Sequence, residues 1–199
     1  MDWSVRTDNE LIRESHAGNH SAFKELVRRY EDCVASTVIG MLGFRPEAED
    51  VGQEVFIRFF HSLGNFKGKS SLKTYLTRIA INLSLNELRR RKRHRFRVVN
   101  EPVEERIDIQ DETADCEFND EKEMVSRALE KLKPEFRMVI VLRFLDGYST
   151  REIAEILQIP EGTVLSRLAR AMKKLKTILE SYFGEDNEKQ TSRPVVSVV

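Results

Sequence analysis

The chain has 199 residues, of which 33 are Lys or Arg and 33 are Asp or Glu, giving a formal charge of +0, and 40% are hydrophobic. That length accommodates one domain or two small ones with packed cores; with no apolar run of the roughly 18 residues a membrane helix needs and no basic-then-apolar leader, membrane insertion and export are not expected. Two cysteines exclude a disulfide framework: Cys33 falls in a helical pattern as a small core residue, Cys116 lies in an acidic stretch, and His16, His20, His61 and His94 show no ligand spacing with them, so neither metal nor cofactor is expected.

The zero net charge is a cancellation of two blocks. Lys67 to Arg97 holds eleven basic residues against Glu87 alone, a net +10, whereas Glu101 to Glu123 holds eleven acids against Arg106 and Lys122, a net −9. A block as basic as the first is a candidate for facing phosphates; a merely solvated helix face is the plainer alternative.

Taken in order, helices are expected over residues 8–17 and about 20–42. In the longer one Phe23, Leu26, Val27, Tyr30, Val34, Val38 and Met41 keep the helical period, and Gly43 and Pro46 punctuate its end. A third helix, about 46–62, opens on Pro46 with Glu47, Glu49 and Asp50, acids suited to a helix N-terminus. Its Val51, Val55, Phe56, Phe59 and Phe60 exceed what one core stripe needs, and Gly52 has no local account. The loop from Gly64 to Ser70 carries turn residues, with Phe66 among them as either a core plug or a stacking platform. Ser70 or Ser71 caps the next helix, whose stripe is Leu72, Leu76, Ile79, Ala80, Leu83 and Leu88 and which runs into Arg89–Arg93. Lys73, Arg78 and Asn82 leave that stripe. Basic groups interleaved with Tyr75 and Asn82 suit single-stranded DNA, whose bases stack on aromatics while its backbone follows positive charge.

Residues 98–118, acidic, containing Pro102 and lacking an apolar stripe, read as a tether extended by like-charge repulsion. Helices resume over about 119–132 and 134–145, the latter started by Pro134 and supplying Phe136, Val139, Ile140 and Leu142 to a core, with Arg143 pointing outward and Gly147 as the stop. The stretch from Tyr148 to Lys176 is the most informative. Ser149 and Glu152 form a capping box, and Tyr148 with Ile153 the matching staple. Ile153, Ala154 and Leu157 share a face, Gln158-Ile159-Pro160 breaks the helix, and a second helix carries Val164, Leu168, Met172 and Leu175 at the helical period. Opposite that stripe lie Thr163, Ser166, Arg170 and Lys173, flanked by Arg167 and Lys174; from Thr163 to Lys176 there are five basic residues and no acid. A short helix, a tight turn and a basic second helix are the pattern of a helix-turn-helix that enters the major groove. Beyond Phe183 the tail, 184–199, turns polar and then Val-rich, and is expected to be disordered. No nucleophile–base pair, paired carboxylates, metal cluster or phosphate loop is present, so catalysis is not expected.

The runs EAEDVGQEVFIRFF, NFKGKSSLKTYLTRIAINL, RRRKR and STREIAEIL…GTVLSRLARAMKKL resemble, in this order, the extracytoplasmic-function (ECF) sigma factors of bacterial RNA polymerase, in the sigma-70 superfamily, over about residues 10–97 and 120–180. The resemblance implies an all-α protein of two small helical domains joined by a flexible acidic linker, acting as a dissociable polymerase subunit. Residues 1–97 would form the region 2 domain, which binds core polymerase and melts the minus-10 element, and residues 119–183 the region 4 domain, which reads the minus-35 element. Asp50, Gln53, Glu54, Ile57 and Arg58 would dock on the β′ clamp helices, with the β flap as a second polymerase partner. The Phe66 loop would hold a flipped minus-10 base and Asn82 would read another, with Lys73, Tyr75 and Arg78 along the melted strand. Arg143 would touch phosphate, and Thr163, Leu165, Ser166, Arg167, Arg170 and Lys173 would face the minus-35 duplex. An anti-sigma partner and a cytoplasmic location are implied as well. Tyr75 stands where the family usually has Trp. Leu165 stands where a basic residue is frequent, which suggests apolar contact such as with a thymine methyl. An ordinary helix-turn-helix regulator and a protein-binding adaptor are the competing classes.

Overall fold

The computed structural model describes the backbone of residues 2–66, 68, 70–99 and 121–191, and side chains within that span over 2–66, 68, 70–97 and 123–182. Its helices are α1 (Asp8–His16), α2 (His20–Leu42), α3 (Pro46–Ser62), α4 (Leu72–Val99), α5 (Glu121–Glu130), α6 (Pro134–Ile140), α7 (Thr150–Leu157) and α8 (Glu161–Thr191), and no strand occurs among the described residues. The acidic tether expected over 98–118, with Cys116, lies outside the described residues apart from its first two positions, which continue α4.

The helix starts follow local chemistry. Thr7 and Glu10 form a capping box on α1, and the Asn19 side chain accepts from the Ser21 and Ala22 amides at the head of α2. Ser71 Oγ accepts from the Thr74 amide at 3.1 Å, which settles the α4 cap in favour of Ser71. Pro46 and Pro134 occupy first-turn positions, where a missing N–H is harmless. Gly43 closes α2 at φ 81°, a conformation that disfavours any side chain.

Two bundles result. In the first, Leu11, Leu26, Val34, Val38, Val55, Phe59, Leu72 and Leu76 are buried where α1 to α4 meet. In the second, Val139, Val141, Leu142, Ile153, Ile156, Val164 and Ala171 join α6, α7 and α8. A side chain so buried contributes about 1.5–3 kcal/mol. The two cores are continuous, because α6 and the turn after it pack on α2.

Four expectations need correction. The helix expected over 134–145 changes character at Val141: Val141–Leu145 is a π-turn, in which the Asp146 amide donates to the Val141 carbonyl at 3.0 Å. Single π-turns of this kind often mark functional positions. Met172 is 46% exposed and not in the α8 core, where fully buried Ala171 takes its place. In α7 the second core residue is Ile156, while Ala154 and Leu157 are only half-buried. Finally, α8 continues to Thr191, so the tail past Phe183 begins as helix. Residues 192–199 lie outside the described residues.

Candidate nucleic-acid interface

The helix-turn-helix is built as its sequence requires. Ser149 Oγ accepts from the Glu152 amide, while the Ser149 amide and hydroxyl donate to Glu152 Oε2 at 2.8 and 2.7 Å, and these two donors pull the Glu152 carboxyl below the ordinary carboxylate range. Gln158 turns left-handed at φ 54° and ends α7, which frees Ile159 to donate to the Ala154 carbonyl at 3.1 Å. The Pro160 carbonyl then accepts from the amides of Thr163 and Val164 and starts α8. Thr150 Oγ1 donates to Glu161 Oε1 at 2.6 Å and ties the two helix heads together.

At about 100° per residue, Val164, Leu168, Ala171 and Leu175 form the inward strip of α8. Ser166, Arg170 and Lys173 then lie on its outward side and are exposed. Thr163 and Arg167 sit on one shoulder, half-buried, and Leu165, 53% exposed, sits on the other beside Met172. Of the positions expected to face a duplex, Ser166, Arg170 and Lys173 thus share the outward side, with Thr163 and Arg167 on one flank and Leu165 on the other, where exposed Met172 joins it. Arg143 is exposed, and its Nη1 donates to the Tyr148 carbonyl at 3.0 Å.

The five positions of α3 taken as polymerase-facing also share one side. Asp50, Gln53, Ile57 and Arg58 are exposed and Glu54 is half-buried, while Val55 and Phe59 point the other way into the core. Ile57 is 51% exposed among these polar groups, and Arg58 Nε donates to Glu54 Oε1 at 2.7 Å. An apolar side chain held out to solvent inside a charged ring resembles the centre and rim of a protein interface.

The melted-strand set is divided. Phe66 plugs the bundle: its ring meets Tyr75 edge-on at 5.1 Å between centroids and Phe59 at 6.5 Å, and Tyr75 donates to Ser62 Oγ at 3.0 Å. Phe66 also lines a cleft of about 480 Å³ with Asn9, Arg13, His16 and Gly64. Asn82 is exposed on α4. Lys73 and Arg78 are not open to solvent in the same way. Lys73 Nζ donates to the Asp146 carbonyl at 2.9 Å and lies 4.7 Å over the Tyr148 ring, and Arg78 donates to the Glu155 carbonyl at 3.0 Å.

Those contacts belong to a polar seam between the bundles, which the sequence reading missed. Asp146, delivered by the π-turn, is buried against α2 and accepts from Thr37 Oγ1 at 2.9 Å and Ser36 Oγ at 3.1 Å. Burial pushes its carboxyl above the usual range, and the two hydroxyls pull against that rise. The Tyr148 phenol, pushed up to about 12 by burial, lies 2.9 Å from Thr77 Oγ1. Arg137 is buried and donates to the carbonyls of Met41, Glu130 and Leu132, so a guanidinium from α6 caps the last turn of α2; burial lowers it to about 10, and it stays charged. Arg45 meets Glu130 at 3.0 Å across the same seam. Among the described residues no group of His, Cys, Asp and Glu has a metal-binding arrangement, and no helix is long and apolar enough to cross a membrane.

Comparison with known proteins accounts for both bundles. Residues 26–94 match Sigma-70 region 2, and residues 122–175 match Sigma-70, region 4. The RNA polymerase sigma-H factor of Pseudomonas aeruginosa is 30% identical over 196 residues, covering 89% of this chain and 96% of its own. The ECF RNA polymerase sigma-E factor of Escherichia coli K12 is 36% identical over 173 residues, with 83% of this chain and 90% of its own covered. Among solved structures, CnrH in complex with the cytosolic domain of CnrY superposes with a TM-score of 0.62 at 26% identity, covering 87% of this chain and 97% of that one. This chain belongs to the extracytoplasmic-function sigma factors of RNA polymerase, with regions 2 and 4 of the sigma-70 superfamily.

Proposed function

We propose that this sigma factor binds core RNA polymerase in the cytoplasm and directs it to promoters by reading two DNA elements. The observation that carries this reading is the outward face of α8, acid-free from Thr163 to Lys176 and mounted on a doubly capped helix-turn-helix. Ser166, Arg167 and Arg170 present hydrogen-bond donors to base edges of the minus-35 major groove, Thr163 supports them from the shoulder, and Leu165 offers an apolar contact. Lys173 and Arg143 neutralise phosphates, so affinity falls as salt rises.

The α3 face of Asp50, Gln53, Glu54, Ile57 and Arg58 docks on the β′ clamp helices, and the region 4 bundle meets the β flap. With both halves anchored, α4 lies along the melted minus-10 strand. Asn82 reads one base, Lys73 and Arg78 follow the backbone, and a base leaving the duplex enters the cleft beside Phe66, supported by Tyr75. Unstacking that base costs a few kcal/mol, which stacking and fit in the cleft offset. An anti-sigma protein covers these surfaces when transcription is not wanted. The solved relative CnrH in complex with the cytosolic domain of CnrY supports a partner of that kind.

The test is binding to two promoter DNAs, one fully duplex and one with an unpaired minus-10 segment, with and without core polymerase. Tight binding is expected only with polymerase and is stronger on the unpaired DNA, and Asn82→Ala should weaken binding to the unpaired DNA alone. Equal loss on both DNAs would remove Asn82 from base reading. Tight duplex binding without polymerase would favour an ordinary regulator, and no salt-dependent DNA affinity under any condition would favour an adaptor.

A further inference from the structure

Three polar side chains of α1 serve neither the core nor the helix itself. Asn9, Arg13 and His16 stand four and three residues apart and so share one strip of its surface. All three are exposed and line the cleft beside Phe66, whose floor is buried Ile12 and Leu63. Among the described residues, no side-chain hydrogen bond or ion pair occupies any of them. Two nearby acids of α1 are engaged elsewhere. Asp8 accepts from Arg29 Nη1 at 3.0 Å and from the Tyr30 hydroxyl, which fixes α1 on α2. Glu10 accepts from the Thr7 amide at 2.8 Å and from Arg6 Nη1 at 3.0 Å. The strip is thus held rigidly and its guanidinium is left uncommitted, as a prepared binding site requires. Gly64 completes the cleft: a β-carbon there would stand 2.9 Å from His16 Cε1, so glycine lets the imidazole come against the loop. The Sigma-70 region 2 match spans residues 26–94, so α1 lies outside it.

We propose that α1 selects the base that enters this cleft, and that Arg13 and Asn9 favour guanine or cytosine there. The selection rests on the base-capture reading above. The Phe66 ring supplies a stacking surface that accepts any base, so it does not choose among them. The choice falls to hydrogen bonds at the base edge, which extrusion from the duplex exposes. A guanidinium donates two parallel bonds and needs two adjacent acceptors to receive them. Guanine offers O6 and N7, and unpaired cytosine offers O2 and N3. Adenine and thymine place no two acceptors side by side, so the Arg13 fork is half-used on either. The Asn9 amide, one turn away, adds a donor or an acceptor beside that fork. His16 bounds the cleft against the loop.

The test uses the full chain with core polymerase and a pool of promoter DNAs whose unpaired minus-10 segment is randomised. Bound and unbound fractions are sequenced, and total affinity is titrated on the same samples. The parent should favour guanine or cytosine about tenfold at one position of the segment. Arg13→Ala should flatten that position and no other, and Arg13→Lys should not restore it, because an ammonium lacks the fork. Asn9→Ala should weaken the same preference in part. Both residues are exposed, so these variants keep the fold, which an unchanged urea midpoint checks. A parent without such a position, or with adenine or thymine favoured there, overturns the pairing. Equal loss over all sequences, recovered by Arg13→Lys, makes Arg13 a phosphate contact and overturns the selection. Phe66→Leu keeps an apolar plug and removes the stacking ring. If it flattens a position that the α1 variants leave intact, the cleft holds a base that α1 does not choose, and only the selection falls. If Phe66→Leu alters no position, base capture fails and takes the selection with it.

Discussion

On the proposed reading, individual side chains on α8 divide the work of recognition by their position around the helix. Arg170 is exposed near the middle of the outward side, with Ser166 one turn before it and Lys173 one turn after. On that reading, a guanidinium in that place donates two parallel bonds to a guanine edge, a fork that the point charge of lysine does not reproduce. Arg170→Ala should therefore weaken minus-35 binding by about 1–3 kcal/mol and relax preference at one base pair, measured by titrating the polymerase complex against promoter variants. Unchanged affinity and unchanged preference would remove Arg170 from the reading set. Leu165 and Met172 add an apolar shoulder, which disfavours a purely electrostatic grip on any duplex. The basic residues and Leu165 were legible in the sequence because an exposed helix face has only its own period to obey. Met172 was misread because methionine at a core spacing looks like core; smaller Ala171 fills the inward position instead.

At the level of elements, capping defines both ends of α7, the first helix of the helix-turn-helix. α7 spans only Thr150–Leu157, too short to persist alone. Its first turn is held by the Ser149–Glu152 box and its end by left-handed Gln158. Ser149→Ala should cost about 1 kcal/mol of stability, seen in urea unfolding as a lower midpoint with an unchanged slope. An unaltered midpoint would mean that packing of Ile153 and Ile156 alone fixes α7. This box, the proline starts of α3 and α6 and the core periods of α2 and α4 could be read from sequence, since each depends on neighbours within one or two turns. The π-turn at Val141–Leu145 could not. Its residues have ordinary helical spacing, and the widened turn is explained only by where Asp146 has to go.

For the whole molecule, the chain's charge segregation and its seam are complementary facts. The basic block along α4 suits a backbone of phosphates, yet part of it is covered by the other bundle. None of the seam was legible in the sequence, because Thr37 and Asp146 stand 109 positions apart and no local period links a polar residue on α2 to one after a π-turn. Gly40 was the available signal: a glycine inside a long, otherwise well-patterned helix, lacking a local reason, points to another segment passing close by. The two bundles and their family were evident from motifs. Their mutual packing depends on a surface match that only coordinates reveal.

The most direct measurement is run-off transcription from a genomic promoter pool by core polymerase with and without the purified chain. The account predicts transcripts that require the added protein and share two upstream elements at fixed spacing. Absence of protein-dependent transcripts, in a sample shown to be folded, would contradict it.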